Sequence, residues 1–319
     1  MLDTALLFPA ISDLAAEGYN WVSVSGGEPL LYPELPQLLG HAKGQGLNTT
    51  IVSNGMLLRP RALDRLQPHL DLLVISIDGI PDSHNAMRGN QRAFELMAAN
   101  IGELRDRGIR FGFIFTLTQH NLHELPWVAE FAVNSGARLL QVHPLEEYGN
   151  AAKRLPGKVP DGTEGAYAWA LAQHIEKRFG GRMAVQVDLL HSSVIRDDPG
   201  LVYAAEADPA EDAALSELIS PLIIEPDGAL LPLQYGFPRA LALGALDEAA
   251  VPTLARRWRK TRWPVLRALC ARLQQRIAGA PEPYFCNWYE EIAALAAAEL
   301  GAAPAAPVHL VPRDLIATG

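Results

Sequence analysis

Five segments of this 319-residue sequence end an apolar run in side chains that could do chemistry: "SGGEPLL" (25–31), "VSNGMLL" (52–58), "ISIDGIPDSHNAMRG" (75–89), "FTLTQHN" (115–121) and "VHPLEEYGNA" (142–151). Glycine lets a main chain come close to a ligand. Serine, threonine, asparagine and carboxylates bind hydroxyls and charged groups, and an imidazole can change charge near neutrality. Singly, each segment has an ordinary reading. Gly26-Gly27 could be a tight turn, Asn54-Gly55 and Asp78-Gly79 are common turn dipeptides, and His143 could be a satisfied buried ring. Together they are more informative, because every one stands just after a run rich in Val, Ile, Leu, Thr or Phe.

Those runs, "WVSVS" (21–25), "TTIVS" (49–53), "LLVIS" (72–76), "RFGFIFTL" (110–117) and "RLLQVH" (138–143), read as buried strands. Helical patterns separate them. In residues 92–108, Phe94, Met97, Ile101 and Leu104 recur three or four apart and Gly108 supplies a stop. Alternating strands and amphipathic helices predict an α/β fold with a parallel sheet, whose chemistry belongs at the carboxyl ends of the strands. Residues 4–20 read as a helix, so the strand that should precede it is absent from this sequence. A dinucleotide-binding fold is disfavoured, because Gly26 and Gly27 lack the spacing of a pyrophosphate turn.

In order, these segments resemble the strand ends of the radical S-adenosylmethionine (radical SAM) enzymes, in the branch of peptide and protein maturases with a C-terminal SPASM or twitch-type extension. "SGGEPLLYPEL" is similar to the second-strand motif, "VSNGMLL" to the third, "VISIDGIPDSHNAMRG" to the fourth, and residues 115–151 to the fifth and sixth; the resemblance spans about residues 4–152. It implies a partial (βα)6 TIM-like barrel lacking its first strand. It also implies that Gly26, Gly27 and Glu28 hold the methionyl ammonium of S-adenosylmethionine, with Pro29 stiffening the turn. Ser53 and Asn54 would lie near the methionine end. Ser76 and Asp78 would face the ribose and carboxylate, and Thr116, His143 and Leu145 would surround the nucleoside.

The family's reaction needs a 4Fe-4S cluster held by a CxxxCxxC loop after the first strand. No cysteine precedes Cys270 here, so this chain has no metal ligands of that kind. A decayed enzyme would lose cysteines by substitution while keeping its edge strand, whose removal exposes backbone and core. Because strand and loop are missing together, we expect a sequence that starts short of the native N-terminus rather than a degenerate protein. Cys270 and Cys286, sixteen positions apart, match no zinc or iron–sulfur spacing and read as packed thiols.

The second half predicts a linker over 150–162, a helix over 166–181, a strand in "MAVQVDLL" (183–190), and an apolar hairpin over 219–236 turning at Asp227-Gly228. That hairpin resembles the maturase extension, but position 233 is leucine where a ligand cysteine would follow the turn. Helices near 252–277 and 285–300 would cover it. The expected domains are a barrel over 1–150, a linker and small α+β extension over 151–300, and a loose tail over 301–319. A net charge of −9 and pI near 5.5 argue against nucleic acid, and the basic run "RRWRKTRW" (256–263) reads as a solvated helix face. No stretch is apolar enough for a membrane span, and two isolated thiols suit the cytoplasm. The resemblance implies reductive cleavage of S-adenosylmethionine to a 5′-deoxyadenosyl radical. That radical would abstract hydrogen from a peptide or protein substrate, with a flavodoxin or ferredoxin as reductant. The alternative is an inactive, cluster-free barrel that binds a peptide or partners an active enzyme.

Overall fold

The structure, a computed structural model, describes residues 2–146, 157–198, 200, 213–280 and 284–301. The expected linker over 150–162 lies largely outside these residues, and the expected tail lies outside them from residue 302 onward.

The described chain forms two compact units. One comprises residues 21–146 and 157–189 and holds a six-stranded parallel sheet. After helix α1 (Thr4–Ala16) of the other unit, its elements run β1 (Trp21–Val24), α2 (Leu35–Gly44), β2 (Asn48–Ser53), α3 (Pro60–Leu66), β3 (Leu72–Ile77), α4 (Pro81–Arg88) and α5 (Ala93–Asp106). They continue through β4 (Phe111–Leu117), α6 (Leu125–Ser135), β5 (Leu139–Pro144), α7 (Gly162–Phe179) and β6 (Ala184–Val187). The strands lie side by side in chain order, β1 to β6, so all six carboxyl ends meet at one edge. The sheet is open, with β1 and β6 at its margins.

Strand residues alternate between faces. One set, including Ile51, Leu73, Ile75, Ile77, Phe113, Phe115, Leu140 and Val142, packs with Leu39, Leu63, Met97, Leu104, Val128 and Ala132 of the helices in a single core. The other set carries Ser23, Thr50, Val52, Ser76, Ile114, Thr116, Gln141, His143 and Gln186, most of them half-buried or exposed. This second set forms the open face. The contrast follows from composition: helix-facing positions are almost all large and apolar, whereas the open face mixes hydroxyls, amides and an imidazole with small apolar groups. Helix α7 begins where Asp161 accepts from the amides of Thr163 and Glu164 while Glu164 returns a bond to the Asp161 amide, a reciprocal cap.

The other unit comprises residues 2–20 together with the described residues from 190 onward. Helix α1 therefore groups here and not with the sheet it precedes, and residues 157–189 group with the sheet; both differ from boundaries drawn at residue 150. The physical reason lies at the end of α1. Glu17 ion-pairs with Arg259 at 2.9 Å and accepts from the Leu215 amide at 3.0 Å, and Tyr19 donates its hydroxyl to the Ile219 carbonyl at 2.8 Å. Such long-range partners leave no periodic signal in the sequence. Leu222–Ile224 and Ala229–Pro232 pair antiparallel around a turn closed by the Gly228 amide on the Glu225 carbonyl, with Gly228 at φ +86°. Helices Val251–Thr261, Trp263–Ala278 and Trp288–Leu300 contribute to a separate core that includes Trp258, Leu266, Cys270, Leu273, Cys286 and Ile292. The basic run lies on the first two of these helices, with Arg256, Arg257, Lys260 and Arg262 exposed and Trp258 buried.

Candidate functional site: the carboxyl edge of the parallel sheet

The turn after β1 presents Gly26 and Gly27 to solvent. Gly26 has φ +117°, and no atom lies within 4 Å of where a Cβ would stand, so bare backbone is reachable here. Glu28 ends the turn and caps a short helix at Pro29–Leu31, where Pro29 is buried. Its carboxylate is fully employed: it accepts from the Leu30 amide at 3.2 Å, the Ser53 hydroxyl at 2.8 Å and the Asn54 amide at 3.0 Å. Glu28 thus bolts the end of β1 to the end of β2. Ser53 faces the helices and also accepts from the Gly55 amide at 3.1 Å, while the Asn54 side chain accepts from the Met56 amide at 2.9 Å. These residues shape the loop through their side chains and leave the Gly26-Gly27 backbone as its accessible part.

At the end of β3 the expected pair separates. Ser76 lies half-buried on the open face. Asp78 has no exposed side-chain surface: Arg88 donates from Nε at 2.6 Å and from Nη2 at 2.9 Å, and His84 Nδ1 lies 3.1 Å from Oδ2. Burial alone would raise this carboxyl, but the bonds from His84 and Arg88 outweigh it and hold Asp78 below the usual carboxylate range. Its charge is paired inside the protein. Asn121 donates to both the Asp78 carbonyl at 2.9 Å and the Thr116 carbonyl at 2.8 Å, joining the ends of β3 and β4. Glu124 accepts from the Ile80 amide at 2.8 Å and the Ser83 hydroxyl at 2.6 Å, fixing the start of α4. Arg88, Asn121 and Glu124 escaped the sequence reading because loop polar residues reveal nothing of their partners.

Thr116 and His143 are direct neighbours across β4 and β5, and both are half-buried on the open face. Leu145 is buried, and its amide donates to the Leu117 carbonyl at 2.8 Å, so it closes the edge rather than lining it. The largest addition surrounds His143. Nδ1 lies 2.7 Å from Asp188 Oδ2 and Nε2 lies 3.2 Å from Glu146 Oε1. Asp188, one residue beyond β6, also accepts from Gln141 Nε2 at 2.6 Å and Gln186 Nε2 at 2.8 Å. Burial would lower the His143 pKa, but the carboxylates of Asp188 and Glu146 push it up to about 10. Burial would likewise raise Asp188, but His143 and the glutamine amides hold it below the usual range. The even spacing of Gln186 and Asp188 on a strand was the available signal, since it puts both on one face.

Comparison with known proteins fits this geometry. Residues 4–132 match the radical SAM superfamily model. This stretch is therefore similar to radical SAM domains. The chain is 31% identical over 185 residues to a PqqA peptide cyclase of Ruegeria pomeroyi, covering 57% of this chain and 50% of that protein. It is 35% identical over 131 residues to an AdoMet-dependent heme synthase of Nitratidesulfovibrio vulgaris, covering 40% of this chain and 35% of the relative. The chain thus spans half or less of the length of these two curated relatives. In fold it is similar to anSMEcpe with bound AdoMet, at a TM-score of 0.61 and 14% identity, covering 94% of this chain and 89% of that one. It is also similar to Streptococcus suis SuiB bound to the precursor peptide SuiA, at 0.61 and 14%, covering 83% and 60%.

The residues present fit one of the family's two cofactors. Accessible backbone at Gly26-Gly27, with hydroxyls on the adjoining open face, is a donor and acceptor set suited to S-adenosylmethionine. A 4Fe-4S cluster does not fit. No three His, Cys, Asp or Glu among the described residues are grouped to hold a metal. Cys270 and Cys286 lie in the other unit, buried, with burial pushing both thiols up to about 12. Leu233, at φ +71°, is buried in that unit's core where the maturase pattern would put a thiolate.

Proposed function

We propose that the open face and carboxyl edge of the sheet bind S-adenosylmethionine, as part of a radical SAM enzyme acting on a peptide or protein side chain. The observation carrying this reading is the alignment of the exposed Gly26-Gly27 turn with Ser76, Thr116 and His143 at one edge, within a chain similar to radical SAM domains. The Gly26 and Gly27 carbonyls take the methionyl ammonium, with Glu28 and Ser53 bracing their turn and Asn54 near the methionine end. Ser76 and Thr116 offer hydroxyls to the ribose and nucleoside. Asp78 and Leu145 act behind the surface, the first by anchoring α4 and the second by closing the edge beside His143. The PqqA peptide cyclase and the SuiB–SuiA complex support a peptide as substrate.

In the family, S-adenosylmethionine and a reduced 4Fe-4S cluster together supply a 5′-deoxyadenosyl radical that abstracts hydrogen. That step calls for cysteine ligands this sequence does not contain, and for a reductant such as a flavodoxin or ferredoxin. The binding step stands independently and is tested by calorimetry with S-adenosylmethionine. Binding by the wild type, weakened about three- to tenfold by Thr116→Val, supports the reading; no heat from the wild type overturns it. A second reading, a cluster-free module that binds a peptide, is favoured by the burial of both cysteines in the unit that does not hold the six-stranded sheet. Binding of a candidate peptide without S-adenosylmethionine would favour it. We assign the protein to the cytoplasm on its two reduced thiols. No described helix is long and apolar enough to cross a membrane.

A further inference from the structure

His143 has a carboxylate at each ring nitrogen, Asp188 at 2.7 Å and Glu146 at 3.2 Å. A neutral imidazole carries one N–H, and its other nitrogen would set a lone pair against a carboxylate. Only the doubly protonated ring can donate both ways. Asp188 is itself aimed by two amides that cannot titrate, from Gln141 and Gln186, which are direct neighbours across β5 and β6 on the open face. On the other side β4 presents the neutral Thr116 opposite His143. Among the described residues, the charged groups in contact with the ring are Asp188, from the end of β6, and Glu146, from the loop after β5. With both nitrogens engaged the ring has no lone pair for accepting a proton from a ligand. What it can offer is a fixed plane and a fixed positive charge.

We propose that Asp188 is a positioning residue of this site, holding His143 as an imidazolium against which an electron-rich nucleobase stacks. The proposal rests on the reading that the open face binds S-adenosylmethionine, whose adenine is such a base. A cationic ring attracts a π-system more strongly than a neutral one, and its hold on the ligand is lost when the proton leaves. The direction of the His143 shift agrees with the geometry.

The test follows the His143 ring nitrogens by NMR from about pH 6 to 9, in the wild type and in Asp188→Asn, beside calorimetry with S-adenosylmethionine at the same pH values. In the wild type both nitrogens should stay protonated throughout and affinity should be flat. In Asp188→Asn the ring should titrate within that window, with affinity falling about tenfold as the proton leaves. Asp188→Glu, which keeps the charge, should restore both. A wild-type His143 that titrates near its ordinary pKa, or a ring in Asp188→Asn still protonated at the top of the range, overturns the proposal. Wild-type protein that keeps the proton but binds no S-adenosylmethionine overturns the open-face reading and the stacking role with it. If Asp188→Asn does not fold, Gln186→Leu removes an anchor of Asp188 without its charge. It should lower the His143 pKa by a smaller amount, and no change would count against the proposal.

Discussion

The Asp78 carboxylate is fully buried against Arg88 and His84, so its worth must be sought in stability. Removing one partner of such a pair strands the other in a low dielectric, at a cost of about 3–5 kcal/mol. Arg88→Met should lower stability by that order in urea titrations, and Asp78→Asn by less, because Arg88 keeps part of its side chain in solvent. The sign of the acid dependence follows from the depressed Asp78 pKa. Its contribution is present above the unfolded-state carboxylate pKa, about 4, and is lost as pH falls through the lower folded value. His143 works the other way. Its folded pKa is raised to about 10, so its contribution is complete below the ordinary value of about 6.5 and is lost as pH rises from there to about 10. Wild-type stability should therefore decline across that alkaline window by roughly 2 kcal/mol after discounting for partial exposure, and His143→Gln should remove most of the decline. An unchanged slope in His143→Gln would rule out the imidazolium as its source.

Elements meet at this edge through single bridging residues. Glu28 ties β1 to β2, Asn121 ties β3 to β4, and Glu124 holds the first turn of α4. Glycine is required where such a bridge passes close to backbone. Gly79 has φ +146°, and a Cβ there would stand 1.9 Å from Glu124 Oε2. Gly79→Ala should cost about 2–4 kcal/mol, from backbone strain plus the displaced carboxylate, as measured by thermal and urea unfolding. Glu28→Gln tests the first bridge. Glutamine keeps one accepting oxygen, so the Leu30 amide, bonded to one carboxylate oxygen, and the Asn54 amide, bonded to the other, cannot both keep their acceptor. Stability should fall by about 1–2 kcal/mol, and S-adenosylmethionine affinity should fall with it because the Gly26-Gly27 turn loses its anchor. Affinity unchanged in a folded Glu28→Gln protein would separate that turn from the binding site.

The two units have separate cores, and both cysteines belong to the one without the sheet. Burial keeps Cys270 and Cys286 as thiols, with pKa values near 12. A thiol reagent at neutral pH should label neither in the native protein, and both should react together once that unit unfolds in denaturant. Rapid native labelling of either would show a reactive thiolate and reopen the question of a metal ligand. That packing also accounts for Leu233, whose apolar side chain joins the same core.

The parallel α/β class and most of the elements follow from the sequence alone, because strand and helix periods are local and every apolar run carries its own phase. The sequence also indicated that the five polar strand ends share one edge, since parallel connections bring strand carboxyl ends together whatever the packing. The shared face of Ser76, Thr116 and His143 was legible in this way. The partners of each polar group emerge from the folded chain. Glu28 and Ser53 turned to one another, Asp78 turned to Arg88 and His84, and Asp188 and Glu146 converged on His143, with Gln141 and Gln186 on Asp188. Folding likewise assigned α1 to the unit of Arg259 and Ile219. Hydrogen bonds and ion pairs depend on three-dimensional register, which no local pattern encodes, whether the partners are 3 positions apart, as His143 and Glu146 are, or 242, as Glu17 and Arg259 are.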